Sequence, residues 1–152
     1  MRALLLLALA LTSGVASADT SQAVISATGT LYLTFDIGMG NGLEGVLLGR
    51  FVPDANSLAK FPAVTGGQYA GPVRYITLRP TTHVLELLVG ADEATRLSHD
   101  RLRIVQVPVQ VQLSHYKAIV ECDARAYRAT LVSAKSLGSY RAATRDNAPI
   151  GC

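Results

Sequence analysis

Gly40-Asn41-Gly42-Leu43-Glu44-Gly45 matches the GxGxxG pattern with which a strand-turn-helix unit cradles a pyrophosphate. That chemistry needs a helix directly after the glycines, aiming its first amides at the phosphates. Here Val46, Leu47 and Leu48 are flanked by Gly45 and Gly49 and stopped by Pro53, so the motif reads as a glycine-rich hairpin and implies no cofactor. Ser98, His99 and Asp100 supply the residue types of a nucleophile triad, but sequence neighbours cannot converge as nucleophile, base and orienter. His83, His99 and His115 stand sixteen residues apart with no HxH or HExxH pairing, which favours surface or packed histidines over a metal centre. A carboxylate pair such as Glu44 and Glu86 would serve a glycosidase only if the fold gathered it. There is no GxSxG elbow. No catalytic residue and no metal ligand is assigned, and the chain reads as a non-catalytic protein more readily than as an enzyme.

Cys122 and Cys152 are the only cysteines. In an oxidising compartment two thiols in a small domain usually pair, so one intramolecular disulfide is expected, with two free thiols or an interchain bridge as the alternatives. The bridge would close a loop of about 30 residues and contribute roughly 3 to 4 kcal/mol in the chain-entropy model. The compartment follows from the first residues. Arg2 supplies a positive n-region, Ala3 to Leu11 an apolar stretch, and Ala16-Ser17-Ala18 the small residues of a signal-peptidase site, so residues 1–18 read as a cleavable secretory signal and the mature chain as 19–152. The apolar stretch is shorter than the roughly 20 residues that cross a bilayer, and no later segment is apolar enough, so no membrane span is expected.

Removing 18 residues from 152 leaves 134, the size of one domain with a core. Period-two alternation dominates it. From Ile25 the odd positions Ile25, Ala27, Leu31, Leu33, Phe35 and Ile37 are apolar, and with Leu43 to Phe51 they make a hairpin over about 30–51, turned at Asn41-Gly42. Val73 to Arg79 and Thr82 to Val89 read as a second strand pair. Arg101 to Leu113 reads as a long strand whose apolar face changes phase near Val105 and Gln106, which predicts a β-bulge there. Pro108 lacks an amide and predicts an edge strand or a non-bonded position. Tyr116 to Cys122 and Arg125 to Val132 form a hairpin around Asp123-Ala124, and only Ala91 to His99 looks helical. The expected fold is all-β and mainly antiparallel, about seven strands in a sandwich or half-open barrel with one or two short helices.

Pro53 to Pro72 interrupts this regularity with three prolines and three glycines. A loop of that length is functional or mobile, and its contact groups would be Lys60, Phe61, Gln68 and Tyr69. The competing reading packs Asp54 to Phe61 as a helical turn, with Leu58 and Phe61 on the sheet. Charge is uneven along the chain: residues 19–95 hold 4 basic and 7 acidic groups, residues 96–152 hold 9 and 4. A basic half suits lipopolysaccharide, peptidoglycan or an acidic protein. Six Tyr, three Phe and no Trp give a poor stacking surface, so nucleic acid is not an expected partner. The excess of Arg over Lys, 11 to 3, with abundant Ala, fits a GC-rich bacterial genome and a periplasmic or secreted destination.

The stretch Tyr116-Lys117-Ala118-Ile119-Val120-Glu121-Cys122-Asp123-Ala124-Arg125-Ala126-Tyr127-Arg128, followed by a polar tail and Cys152, resembles the C-terminal signature of the surface-adhesin protein E family of small exported bacterial proteins. The likeness spans residues 116–152 and implies a non-enzymatic, mostly antiparallel β-protein that binds host or envelope macromolecules. It transfers no binding residue. Three functions remain from the sequence: an exported binding module of the bacterial envelope, adhesin-like; a periplasmic inhibitor or immunity protein that blocks a hydrolase by inserting the 53–72 loop; and a small hydrolase with a dispersed site. Ligand and oligomeric state are not encoded in any motif.

Overall fold

Alternation from Ile25 becomes a strand that pairs on both sides. β1 (Ile25–Asp36) runs antiparallel to β2 (Val46–Pro53), from Gly29↔Pro53 to Asp36↔Val46, and also antiparallel to β4 (Ile104–Glu121), from Ile25↔Leu113 to Thr34↔Ile104. The computed structural model describes residues 23–36, 46–68, 70–79, 82–100, 102–121 and 123–149. The Asn41-Gly42 turn, the GxGxxG segment, the export signal, Tyr69, Cys122 and Cys152 lie outside those residues.

After β2 comes a single helical turn, α1 (Ala55–Leu58), then β3 (Ile76–Arg79), α2 (Thr82–Val89), α3 (Ala91–His99), β4, β5 (Ala124–Ser136) and a short β6 (Arg141–Ala143). The sheet order is β1-β2-β3-β5-β4-β6, and the extra β1–β4 ladder closes the first five strands into a ring. All of its pairings are antiparallel except β3–β5, a parallel seam of three residues from Thr77↔Arg128 to Arg79↔Thr130. A ring in this order, with helices inserted between β3 and β4, has the connectivity of a five-stranded Greek-key barrel of the OB type. The fold is therefore largely all-β, and the barrel form is the one adopted.

Inward-facing residues fill the ring: Leu31 and Leu33 of β1, Phe51 of β2, Ile76 and Leu78 of β3, the odd positions Val105 to Leu113 of β4, and Tyr127, Ala129 and Leu131 of β5 are all buried. The wall closes tightly at Gly29. A Cβ there would stand 2.2 Å from the Val52 carbonyl oxygen and 2.9 Å from the Phe51 ring, so only glycine lets β1 serve β2 and β4 at once.

Two expectations change. Thr82 to Val89 is a helix, not a strand, because its burial repeats every four residues: Leu85 and Val89 are buried, Val84 and Leu88 half-buried, His83 and Leu87 exposed. Gly90, at φ +84°, breaks it from α3, and both helices pack on the barrel through Leu85, Val89 and Leu97. No bulge occurs at Val105 and Gln106, where the ladder to β1 is continuous. Ile104 faces outward yet is buried, since it shares a cleft with Arg145, Ala148 and Pro149 of the C-terminal segment. The phase change falls later, where His115 and Tyr116 together oppose Ala129 between the pairs Ser114↔Thr130 and Lys117↔Arg128. Pro108 sits in a strand paired on both sides, and its carbonyl accepts the Leu137 amide at 2.8 Å. Its missing N–H thus faces the β5–β6 connection and leaves no gap in the β1 ladder.

The segment after β2 is packed. Asp54 caps α1 by accepting the Ser57 amide at 2.8 Å and the Thr28 hydroxyl at 2.5 Å, which holds its carboxyl below the usual range, the Thr28 bond contributing most. Phe61 is 3% exposed and meets Phe51 edge-on at 6.3 Å and Tyr116 at 5.3 Å, while Tyr116 stacks on Tyr127 at 5.7 Å. Tyr127 donates to the Gly71 carbonyl at 2.8 Å and accepts from the Val64 amide at 2.9 Å, and Tyr116 donates to the Pro62 carbonyl at 3.1 Å. Burial, with the Tyr127 phenol beside it, pushes the Tyr116 hydroxyl above its ordinary pKa. Leu58, by contrast, is 41% exposed. Phe61→Ala is expected to lower unfolding free energy by about 3–5 kcal/mol, read as a fall in the urea midpoint at constant slope.

At the other end Glu93 of α3 is buried with a charge. Arg103 reaches it with two bonds, Nε to Oε1 at 2.5 Å and an Nη to Oε2 at 3.1 Å, and Arg96 and the Tyr140 hydroxyl lie at 3.8 Å and 3.4 Å from Oε2. The Arg103 hydrogen bonds, ahead of the opposing effect of burial, lower the Glu93 pKa. A carboxyl whose folded pKa lies below its unfolded value adds stability that is complete above the unfolded pKa and is lost as pH falls through the folded one. The melting temperature should therefore fall more steeply from about pH 5 to pH 3 in the native chain than in Glu93→Gln, as differential scanning calorimetry would show.

Candidate functional site

The register lines one side chain from each barrel strand into a row around the outer wall. Tyr32 of β1 pairs with Arg50 of β2, Arg50 with Thr77 of β3, Thr77 with Arg128 of β5, and Arg128 with Lys117 of β4. All point outward, because their neighbours Leu31, Phe51, Ile76 and Tyr127 point in. At about 4.8 Å per strand, Arg50 and Arg128 stand about 10 Å apart with Thr77 between them. Thr77 is only 7% exposed despite facing out.

Arg79, Tyr75 and His115 flank the row. The Arg50 guanidinium lies 5.8 Å from the centre of the Tyr75 ring, a cation–π contact that orients it along the wall. Its Nε is buried without a hydrogen-bond partner among the described residues. Among the described residues no carboxylate is paired with Arg50, Arg79, Lys117 or Arg128. Among the described residues these four cations without a paired acid, two tyrosine rings and threonine hydroxyls form a surface whose charge and hydrogen-bonding groups are complementary to an anion.

Three hollows lie along this wall. One lies between Tyr32, Thr34, Arg50 and the C-terminal Arg145, Ala148 and Pro149. A second is lined by Arg79, His115, Lys117, Arg128 and Thr130. The third runs from Ala70, Gly71 and Pro72 to Arg74, Tyr75 and Arg125, so the end of the 53–72 segment borders the basic wall. The inward positions of the ring are occupied by the buried side chains described above.

Of the loop residues singled out from sequence, Phe61 is part of the core, Lys60 donates to the Ser26 carbonyl at 2.7 Å, and Gln68 is exposed in the turn 66–68. Phe61 is therefore unavailable as a contact group, and Tyr69 lies outside the described residues. Ser98, His99 and Asp100 finish α3: Ser98 Oγ donates to the Thr95 carbonyl at 2.7 Å and lies 3.1 Å from His99 Nδ1, which is itself 2.8 Å from that carbonyl oxygen. Asp100 accepts the Leu102 amide at 3.0 Å and does not orient the imidazole as a triad requires. His83, His99 and His115 lie on α2, α3 and β4, and among the described residues no three His, Cys, Asp or Glu side chains gather at metal-binding distance. The row itself was missed, because Arg50, Thr77, Lys117 and Arg128 become neighbours only through strand register. The available signal was the alternation Tyr127-Arg128-Ala129, one charge between two inward residues.

Comparison of the chain with protein-family models, with curated proteins and with solved structures finds no match.

His115 adopts φ +52°, a left-handed conformation unfavourable for a residue with a Cβ, and it does so inside the bulge that faces the second hollow. His115→Gly is expected to be neutral or to stabilise the fold by up to about 1 kcal/mol, measured by chemical denaturation, since relief of this strain offsets the entropy of glycine.

Proposed function

We propose that the chain is an exported, non-catalytic binding module of the bacterial envelope that holds an anionic macromolecule against the outer wall of its barrel. The observation that carries this reading is the Arg50–Thr77–Arg128–Lys117 row, unneutralised by any carboxylate among the described residues. The secretory signal at residues 1–18 and the C-terminal resemblance to surface-adhesin proteins point to the same setting. Small barrels with filled interiors bind on their walls, and OB-type barrels use the outer face of strands 2 and 3, where Arg50, Tyr75 and Thr77 lie; that support is analogy of fold. The disulfide between Cys122 and Cys152 belongs to the proposal, as a tether suited to an oxidising compartment.

The reading is tested with mature protein recovered from the envelope, whose N-terminus should be Asp19, against lipopolysaccharide, peptidoglycan and an acidic protein as immobilised probes. One anionic probe should bind with an affinity that falls steeply as ionic strength rises. Charge reversal at Arg50 or Arg128 should weaken that binding by about tenfold or more with circular dichroism unchanged. Binding that ignores both salt and these substitutions would show that the wall is not the binding surface.

A further inference from the structure

We infer that the hollow at the barrel seam is a receptor for a phosphate monoester carried on a sugar. This rests on the reading of the wall as a binding surface and names the chemical group that anchors the ligand there. The seam is where β3 and β5 run parallel for three residues and then part, and where β4 bulges away at His115 and Tyr116. Parting and bulge together open a notch lined by Arg79 of β3, Arg128 and Thr130 of β5, and Lys117 and His115 of β4.

The donor set selects the anion. Arg79 and Arg128 each present a planar fork of N–H donors, Lys117 an ammonium and Thr130 a hydroxyl, and among the described residues no acid lines the notch. A carboxylate carries one charge and two oxygens, too few to satisfy two forks and an ammonium. A phosphate diester carries one charge as well. A monoester near neutral pH approaches two charges on three terminal oxygens, each able to accept more than one donor, which matches three cations converging from three strands. Backbone geometry supports a built site: His115 is held at φ +52°, with Nδ1 3.0 Å from the Ser114 hydroxyl, so the bulge turns its ring toward the notch at a conformational cost. A sugar is favoured over a free ion because the wall continues from the notch past the buried Thr77 to Arg50, Tyr75 and Tyr32, giving the tyrosine hydroxyls and ring faces in line with the anion site.

The experiment titrates the full mature protein with inorganic phosphate, glucose 1-phosphate, a methyl phosphodiester, and vesicles with and without phosphatidic acid, following backbone amide resonances and heats of binding. Glucose 1-phosphate is expected to shift Lys117, Arg128 and Thr130 and to bind more tightly than inorganic phosphate or the diester. Arg128→Gln and Arg79→Gln should each weaken it by about tenfold, Arg128→Lys should restore part of the loss, and Lys135→Gln, near the other end of β5, should leave it unchanged. Tighter binding to phosphatidic acid vesicles than to the sugar phosphate would overturn the sugar assignment. Equal weak shifts with every anion, insensitive to the variants, would overturn the receptor altogether. If no phosphate compound binds while an anionic envelope probe still binds through Arg50, the notch inference fails and the wall reading stands. If neither binds, both fail.

Discussion

Closure of the β1–β4 ladder is the constraint from which the remaining structure follows. A strand of twelve residues must pair with β2 on one edge and β4 on the other over nearly its whole length, so it has to coil strongly, and the tightest approach falls at Gly29. Once closed, the ring has no free edge along β1, which removes the usual site of edge-to-edge association from that strand. Closure also fixes the interior volume. Five strands leave room for side chains alone, and Phe51, Phe61, Tyr116 and Tyr127 fill one end while Leu85, Val89 and Leu97 of the helices fill the other.

The same constraint explains why the segment 53–72 is ordered. It must cross the open end of the barrel between β2 and β3, and the ring beneath it presents an aromatic surface that water would otherwise wet. Phe61 covers that surface, and the phenols of Tyr116 and Tyr127 satisfy the carbonyls of Pro62 and Gly71 and the amide of Val64, which an irregular chain cannot pair by itself. The C-terminal stretch is held by a similar economy of bonds. Leu137 donates to Pro108, β6 pairs with Ile104 to Gln106, and Tyr140 reaches Glu93, so backbone ladders order a sequence with little apolar surface.

The pattern of β1, the hairpin after Tyr116 and the helix Ala91 to His99 were legible because each declares itself within a dozen residues: alternation in the first, a two-residue turn in the second, an acidic start and basic end in the third. Thr82 to Val89 was not. Its eight residues contain both an alternation and a four-residue repeat, and only packing of Leu85 and Val89 against the wall chooses the helix. The phase of β4 misled for another reason. The apparent phase change near Val105 comes from two apolar residues outside the core, for Leu102 is exposed and Ile104 is covered by a segment forty residues later. The cationic row belongs to the same class of hidden feature, since register between strands β2, β3, β5 and β4 is a property of the closed ring and of no local run.

A filled barrel limits how such a protein can bind. Where buried side chains line the inside, the groups left for contact are outward side chains, and outward positions alternate with core positions along each strand, so a wall offers one group per strand at about 4.8 Å spacing. Exposed charge pairs are weak singly, about 0.2–1 kcal/mol each, and screening by salt reduces them further. Affinity must then come from several such groups meeting one multiply charged ligand, or from a place where geometry departs from the regular wall and lets donors converge. In the proposed reading the row from Arg50 to Lys117 supplies the first and the seam beside His115 the second. Both are carried by strands fixed on the two sides by the ladder, so little ordering entropy is spent when a ligand arrives, which is how a small rigid scaffold converts weak surface contacts into selective binding.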